Sequence, residues 1–131
     1  MPKKILLVED NPANMKLVQM LLEPHGYLLL EATDGVEALR MAQDQRPDLI
    51  IMDIQLPRMS GVEVVKTLRR RPEMDSMPII AVTAYAMKGD EEKLMQAGCN
   101  AYVPKPINTR DLPILVAELL EGQQNTGTTD R

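Results

Sequence analysis

Five polar residues stand where short apolar runs end. Glu9 and Asp10 follow the run at 5–8, Asp53 follows 49–52, Thr83 closes 79–83, and Lys105 follows 101–104. If the runs are strands of one parallel sheet, all five residues fall on its carboxyl edge, where such sheets bind ligands. With the first and third strands adjacent, Asp10 and Asp53 stand about one strand spacing apart, roughly 5 Å. Two carboxylates at that distance repel by roughly 3 kcal/mol at an effective dielectric near 20. Glu9 adds to the repulsion and Lys105 offsets only part of it. Clustered carboxylate oxygens of this kind suit Mg²⁺, which is held by one or two carboxylates and water. The residues therefore predict Mg²⁺ at Asp10 and Asp53 and, through a bridging water, at Glu9. A carboxylate beside a divalent cation, with an ammonium and a hydroxyl aimed at the same point, is equipped to accept a phosphoryl group. Asp53 is the expected acceptor, because Glu9 and Asp10 are adjacent in sequence and better placed as a metal clamp.

The elements that must position these residues are legible as apolar runs at 5–8, 27–32, 49–52, 79–83 and 101–104, separated by amphipathic stretches of helical length. Asn11 and Pro12 form a cap and first turn, and Met15, Val18, Leu21 and Leu22 share a face until Pro24 and Gly26. Further helices are expected from near Asp34, from near Ser60 with Val64, Val65 and Leu68 inward, from near Ala86 to Gly98, and from near Asn108 or Thr109 through Leu120. Pro113 must fall in the first turn of the last helix or bend it. Five strands alternating with five helices predict an α/β, doubly wound parallel sheet covered on both faces, in the order 2-1-3-4-5. The domain is expected over 1–121, with 122–131, which lack any apolar residue, as a frayed tail.

Length and composition set the limits. A chain of 131 residues with 44% hydrophobic and 26% charged residues is expected to fold around one core. A net charge of −4 disfavours nucleic acid and anionic lipid as partners. One cysteine fits a cytoplasmic protein. The opening apolar run of four residues is too short for a secretory signal, and no stretch approaches the ~20 apolar residues of a membrane span.

The sequence resembles the receiver domains of two-component response regulators. The resemblance is carried by Ile-Leu-Leu-Val-Glu-Asp-Asn at 5–11, Asp34-Gly35, Asp-Leu-Ile-Ile-Met-Asp-Ile-Gln-Leu-Pro at 48–57, Met59-Ser60-Gly61, Ile-Ala-Val-Thr-Ala at 80–84 and Lys105-Pro106. It covers residues 3 to about 121. The stretches at 84–90 and 97–102 look most like stand-alone DivK-type receivers and the receivers of hybrid histidine kinases. The resemblance implies a flavodoxin-like fold. It implies that Asp53 takes phosphate from a sensor histidine kinase or histidine phosphotransfer protein, and that Glu9, Asp10, Asp53 and the backbone carbonyl of Gln55 hold Mg²⁺. It further implies that Lys105 binds a phosphoryl oxygen after a cis Lys105–Pro106 bond, that Thr83 follows the phosphate, and that Tyr102 changes rotamer with it. Helix four, strand five and helix five would then form the read-out face for a downstream protein.

Plainer readings apply to other residues. The ten methionines are expected to fill gaps in a core that has no Phe or Trp. His25 reads as a turn residue, and Cys99 as a small packing residue without a redox role. Arg69, Arg70 and Arg71, with Lys66, read as a solvated helix end where cations suit the dipole. Three alternatives to a phosphorylated signalling domain are open to test. A magnesium-dependent aspartyl phosphatase is disfavoured because Gln55 stands where a second acid would be needed. A flavin carrier is disfavoured because Glu9, Asp10 and Asn11 would repel its phosphate. A receiver-like module that binds partners without phosphorylation is opposed by the intact acids and lysine. The expected protein is not a turnover enzyme but one that helps catalyse its own modification.

Overall fold

The computed structural model describes residues 2–84 and 88–124. Its strands are β1 (Lys4–Val8), β2 (Leu28–Ala32), β3 (Leu49–Asp53), β4 (Ile79–Thr83) and β5 (Ala101–Pro104). They alternate with helices α1 (Pro12–Leu22), α2 (Gly35–Gln45), α3 (Gly61–Arg69), α4 (Lys88–Ala97) and α5 (Asp111–Gln124). All strand pairs are parallel and the order is β2-β1-β3-β4-β5. Strand order reverses at β1, so the cleft at the carboxyl ends of β1 and β3 is the switch point of the sheet.

Alternation of side chains sorts the strands into two cores. Leu6, Val8, Ile50, Met52, Ile79 and Ala81 face α2, α3 and α4, whereas Ile5, Leu7, Leu49, Ile51, Ile80 and Val82 face α1 and α5. Both sets are buried, which is why these strands are apolar without a break. Each fully buried Leu or Ile contributes about 1.5–3 kcal/mol relative to exposure.

Local chemistry starts the helices where expected. The Asn11 side chain accepts from the N–H groups of Ala13 and Asn14, Asp34 from Glu37, and Ser60 from Glu63. Asn108 likewise accepts from the N–H groups of Arg110 and Asp111. Pro113 is the third residue of α5, inside the first turn, where an N–H would have no helical partner. The start expected near Ala86 lies outside the described residues.

Several expectations need correction. Helix α5 continues to Gln124, so Gly122, Gln123 and Gln124 are helical where a tail beginning at 122 was expected. Composition marked the loss of an apolar face but not the end of the backbone ladder. Residues 125–131 lie outside the described residues. Arg69 is not a solvated helix end: it is half-buried and donates to the carbonyls of Gly98, Met74 and Asp75 and to Oδ1 of Asn100. Arg70 and Lys66 are exposed. Met15, Met52, Met74 and Met77 are buried, but Met20 and Met95 are exposed, so gap-filling accounts for only some methionines.

Candidate functional site

Strand register brings the acids together. Val8 is level with Met52, which sets Glu9 beside Asp53 at the ends of adjacent central strands. Asp53 is level with Val82, and Thr83 with Pro104, so the hydroxyl and the residue before Lys105 follow on the next two strands. The N–H of Lys105 donates to the Thr83 carbonyl at 2.8 Å, extending the ladder one residue past β5. The Lys105–Pro106 bond is cis.

Asp53 is buried, with only 2% of its surface exposed. Its Oδ1 accepts from the Gln55 N–H at 2.9 Å, and its Oδ2 accepts from Lys105 Nζ at 2.9 Å. The ammonium also lies 3.8 Å from Glu9 Oε1. Glu9 Oε2 accepts from the Asn11 N–H at 3.0 Å, a contact within the same turn that caps α1. Asp10 is exposed, yet it offers an oxygen in a set with Glu9 and Asp53 whose members all lie within 4.8 Å of one another. Burial is the main cause that pushes the Glu9 carboxyl up to about 7. A hydrogen bond and the negative charge of Asp53 add to the rise, while the Asn11 N–H and Lys105 oppose it.

The donor set fits Mg²⁺. All three acids supply hard oxygen atoms, and one ammonium is shared between two of them. The Lys105 ammonium that holds Asp53 at 2.9 Å also stands 3.8 Å from Glu9, so both acids face the same cation.

Thr83 is buried at the end of β4 beside this cluster. Tyr102 is not in the cluster. Its ring is half-exposed, and its hydroxyl is hydrogen-bonded to Glu91 on α4, whose carboxylate raises the phenol pKa. Glu91 carried no sequence signal, because a surface acid on a helix is ordinary. Two further contacts position the β3–α3 loop. A Cβ on Gly35 would stand 2.3 Å from the Met59 carbonyl oxygen, so the loop can lie against α2 only over glycine. Arg58, with φ of 69°, reaches Asp34 at 3.7 Å. His25 ends a short 3-10 turn and stacks on Tyr27, and burial pushes the Cys99 thiol up to about 11. Among the described residues, no helix is long and apolar enough to cross a membrane.

Comparison with known proteins gives a consistent answer. The model of the response regulator receiver domain matches residues 5–117. The polar-differentiation response regulator DivK of Brucella anthropi is 55% identical over 108 residues, covering 82% of this chain and 88% of DivK; that of Brucella ovis is 53% identical over the same length. The receiver domain of a sensor histidine kinase from Pseudomonas aeruginosa, solved with magnesium coordinated in its active-site cleft, superposes with a TM-score of 0.85 at 37% identity, covering 92% of this chain and 99% of that one. A CheY-like receiver from Methanospirillum hungatei gives 0.89 at 32% identity, covering 96% and 99%. With its sheet order, its acidic switch-point cleft and this match over residues 5–117, the chain belongs to the family of response regulator receiver domains.

Proposed function

We propose that this receiver takes a phosphoryl group from a phosphohistidine donor onto Asp53, with Mg²⁺, and thereby changes its affinity for a partner protein. The observation that carries this reading is the pairing at Asp53: one buried carboxylate held by Lys105 at 2.9 Å, with two more acids near enough to share a cation. The donor is a sensor histidine kinase or a histidine phosphotransfer protein, and the compartment is the cytoplasm, in keeping with the single, unpaired Cys99.

Glu9, Asp10, Asp53 and the carbonyl of Gln55 would hold the metal, which when bound supplies positive charge against the phosphoryl oxygens. An Asp53 oxygen attacks phosphorus, the bond from phosphorus to the donor imidazole nitrogen breaks, and that nitrogen keeps the electron pair. The Gln55 N–H on Oδ1 and the Lys105 ammonium on Oδ2 fix the carboxylate before attack. Lys105 then exchanges its contact with Asp53 for a phosphoryl oxygen, and Thr83 turns its hydroxyl to another. The space it leaves lets Tyr102 give up Glu91 and turn inward, altering the face made by α4, β5 and α5. Later hydrolysis by the same groups resets the protein, which does not act as a turnover enzyme.

Acetyl phosphate with Mg²⁺ should add one phosphoryl group, read by intact mass. Asp53→Asn should abolish the addition, and undiminished labelling of that variant would overturn the acceptor assignment. Lys105→Ala should retain some labelling but lose the response of the partner. A normal partner response in the Lys105 variant would remove its role.

A further inference from the structure

The sheet ends in two edges, and they are finished differently. At β5 the N–H of Lys105 bonds inward to the Thr83 carbonyl, so by alternation Pro104 stands where an N–H would point outward, and its ring removes that donor. Strand β2 has no such guard. It contains neither proline nor lysine, and Glu31 is its one charged residue. The Leu28 N–H donates to the Lys3 carbonyl at 2.9 Å, and the Ala32 carbonyl accepts from the Glu9 N–H at 3.0 Å, so Leu28, Leu30 and Ala32 bond to β1. The N–H and C=O groups of Tyr27, Leu29 and Glu31 therefore face away from the sheet.

Apolar side chains mark the same edge. Five large hydrophobic side chains are exposed among the described residues, and three of them, Met20, Leu28 and Val36, belong to α1, β2 and α2. Tyr27 and Leu29 pack on the core that α1 covers, and Leu30 on the core that α2 covers, so the two helices flank the strand. This distribution decides between occupants. An extended peptide added to the edge would cover β2 but not the side chains on both flanking helices, whereas a second copy of the chain brings helices of its own.

The strand is also complementary to itself. In an antiparallel pair about a two-fold axis at Leu29, all three outward-facing residues find partners, and no other antiparallel register engages all three. Leu29 exchanges two hydrogen bonds with Leu29 of the second copy, and Tyr27 exchanges two with the opposing Glu31, in each direction. On the α1 side the Tyr27 and opposing Glu31 Cβ atoms stand about 5 Å apart, which brings the phenol beside a carboxylate that the Gln19 side chain already orients. On the α2 side Leu28 covers the opposing Leu30. An axis at Glu31 would instead set the carboxylate against its own counterpart.

We propose that two copies of this chain associate through β2, antiparallel about Leu29, into one continuous sheet. A contact made by one short strand and its flanks is small beside the ~1,600 Å² of a standard interface, so the dimer is weak and forms as concentration rises. Antiparallel pairing sets the carboxyl edges of the two sheets, and with them the two acidic clefts, at opposite ends of the joined sheet.

Sedimentation velocity on the full chain, over a concentration series reaching the millimolar range, should show the mass rising from monomer toward dimer. Leu28→Lys should weaken this association roughly tenfold, whereas Ile114→Lys, an equally exposed apolar position on α5, should leave it unchanged. Register is read by disulfide trapping under mild oxidation. Residues 28 and 30 of opposing copies form a non-hydrogen-bonded pair with Cα atoms about 4.5 Å apart, within disulfide reach. A mixture of Leu28→Cys and Leu30→Cys proteins should therefore cross-link far more than either protein alone. The unaltered chain, whose Cys99 is buried, should not cross-link. A monomer at every concentration, equal weakening by Leu28→Lys and Ile114→Lys, or cross-linking of either cysteine variant alone to the level of the mixture would each overturn the inference.

Discussion

Glu9 is the side chain through which burial in the cleft ties the protein's stability to pH. Burial lifts its carboxyl from 4.5 to about 7, so between those values the folded state holds a proton that the unfolded chain has lost. By linkage, this group's contribution to stability is full below about 4.5, falls as pH rises, and is gone above about 7. In chelator, the urea midpoint should therefore decline across that window through this residue, and Glu9→Gln should flatten the decline. An unchanged slope in the variant would show that another group carries it. A cation that needs the carboxylate must also displace the proton. Titrating Mg²⁺ near pH 6.5 should release a fraction of a proton, seen as binding heat that varies with the ionisation enthalpy of the buffer, and Glu9→Gln should remove that variation. Heats independent of buffer in the unaltered protein would separate Glu9 from the metal. The neighbours that tune Glu9 were only partly legible in the sequence. Asn11 could be read as a helix cap, but its own N–H on Glu9 depends on how the turn folds back.

At the scale of elements, the glycines and Arg69 do what periodicity cannot express. A methyl group on Gly35 would meet the Met59 carbonyl oxygen and Cβ at 2.3 and 2.8 Å, and backbone cannot swing aside as a long side chain can. Gly35→Ala should cost about 1–3 kcal/mol in urea denaturation and disturb the loop that leads from Asp53 to α3. A near-neutral result would mean that the loop moves freely from α2. Arg69→Ala removes the donors that hold the ends of α4 and β5 to α3, and leaves the Gly98 carbonyl and Asn100 Oδ1 without them. Thermal unfolding should show a loss of about 2 kcal/mol or more, and Arg69→Lys should restore little because it lacks the fork. Recovery of full stability by Lys would make the contact one of charge alone. The central strands β1, β3 and β4 were legible because they are buried on both faces, and β4 and β5 match their apolar runs residue for residue. Arg69 was misread because its partners lie up to 31 residues away, where local pattern carries no information. The Asp34–Arg58 and Tyr102–Glu91 pairs escaped notice for the same reason.

For the whole molecule, the carboxyl edge sets function against stability. Both cores run through β1, β3 and β4, so the sheet and its helices should unfold as one unit, with the acidic cleft at the ends of the central strands. Three acids within 4.8 Å weaken that unit when no cation is present, and neutralising one of them relieves repulsion without opening a cavity. Asp10 is the informative choice, because it is exposed and its loss leaves no buried partner unpaired. Asp10→Asn should raise the melting temperature in chelator. A ligand that binds only the folded state adds about 2.7 kcal/mol at a free concentration one hundred times its Kd. The unaltered protein should therefore gain several degrees in saturating Mg²⁺, while Asp10→Asn gains much less and the two melting curves converge or cross. Na⁺ at matched ionic strength screens the acids without bridging them and should give only a fraction of the gain. Equal stabilisation by Na⁺ and Mg²⁺, or an undiminished Mg²⁺ increment in the Asp10 variant, would reduce the cluster to a patch of surface charge. A cleft that destabilises the empty fold and is relieved by its cation is the pattern expected where selection has kept charge for chemistry at the expense of packing.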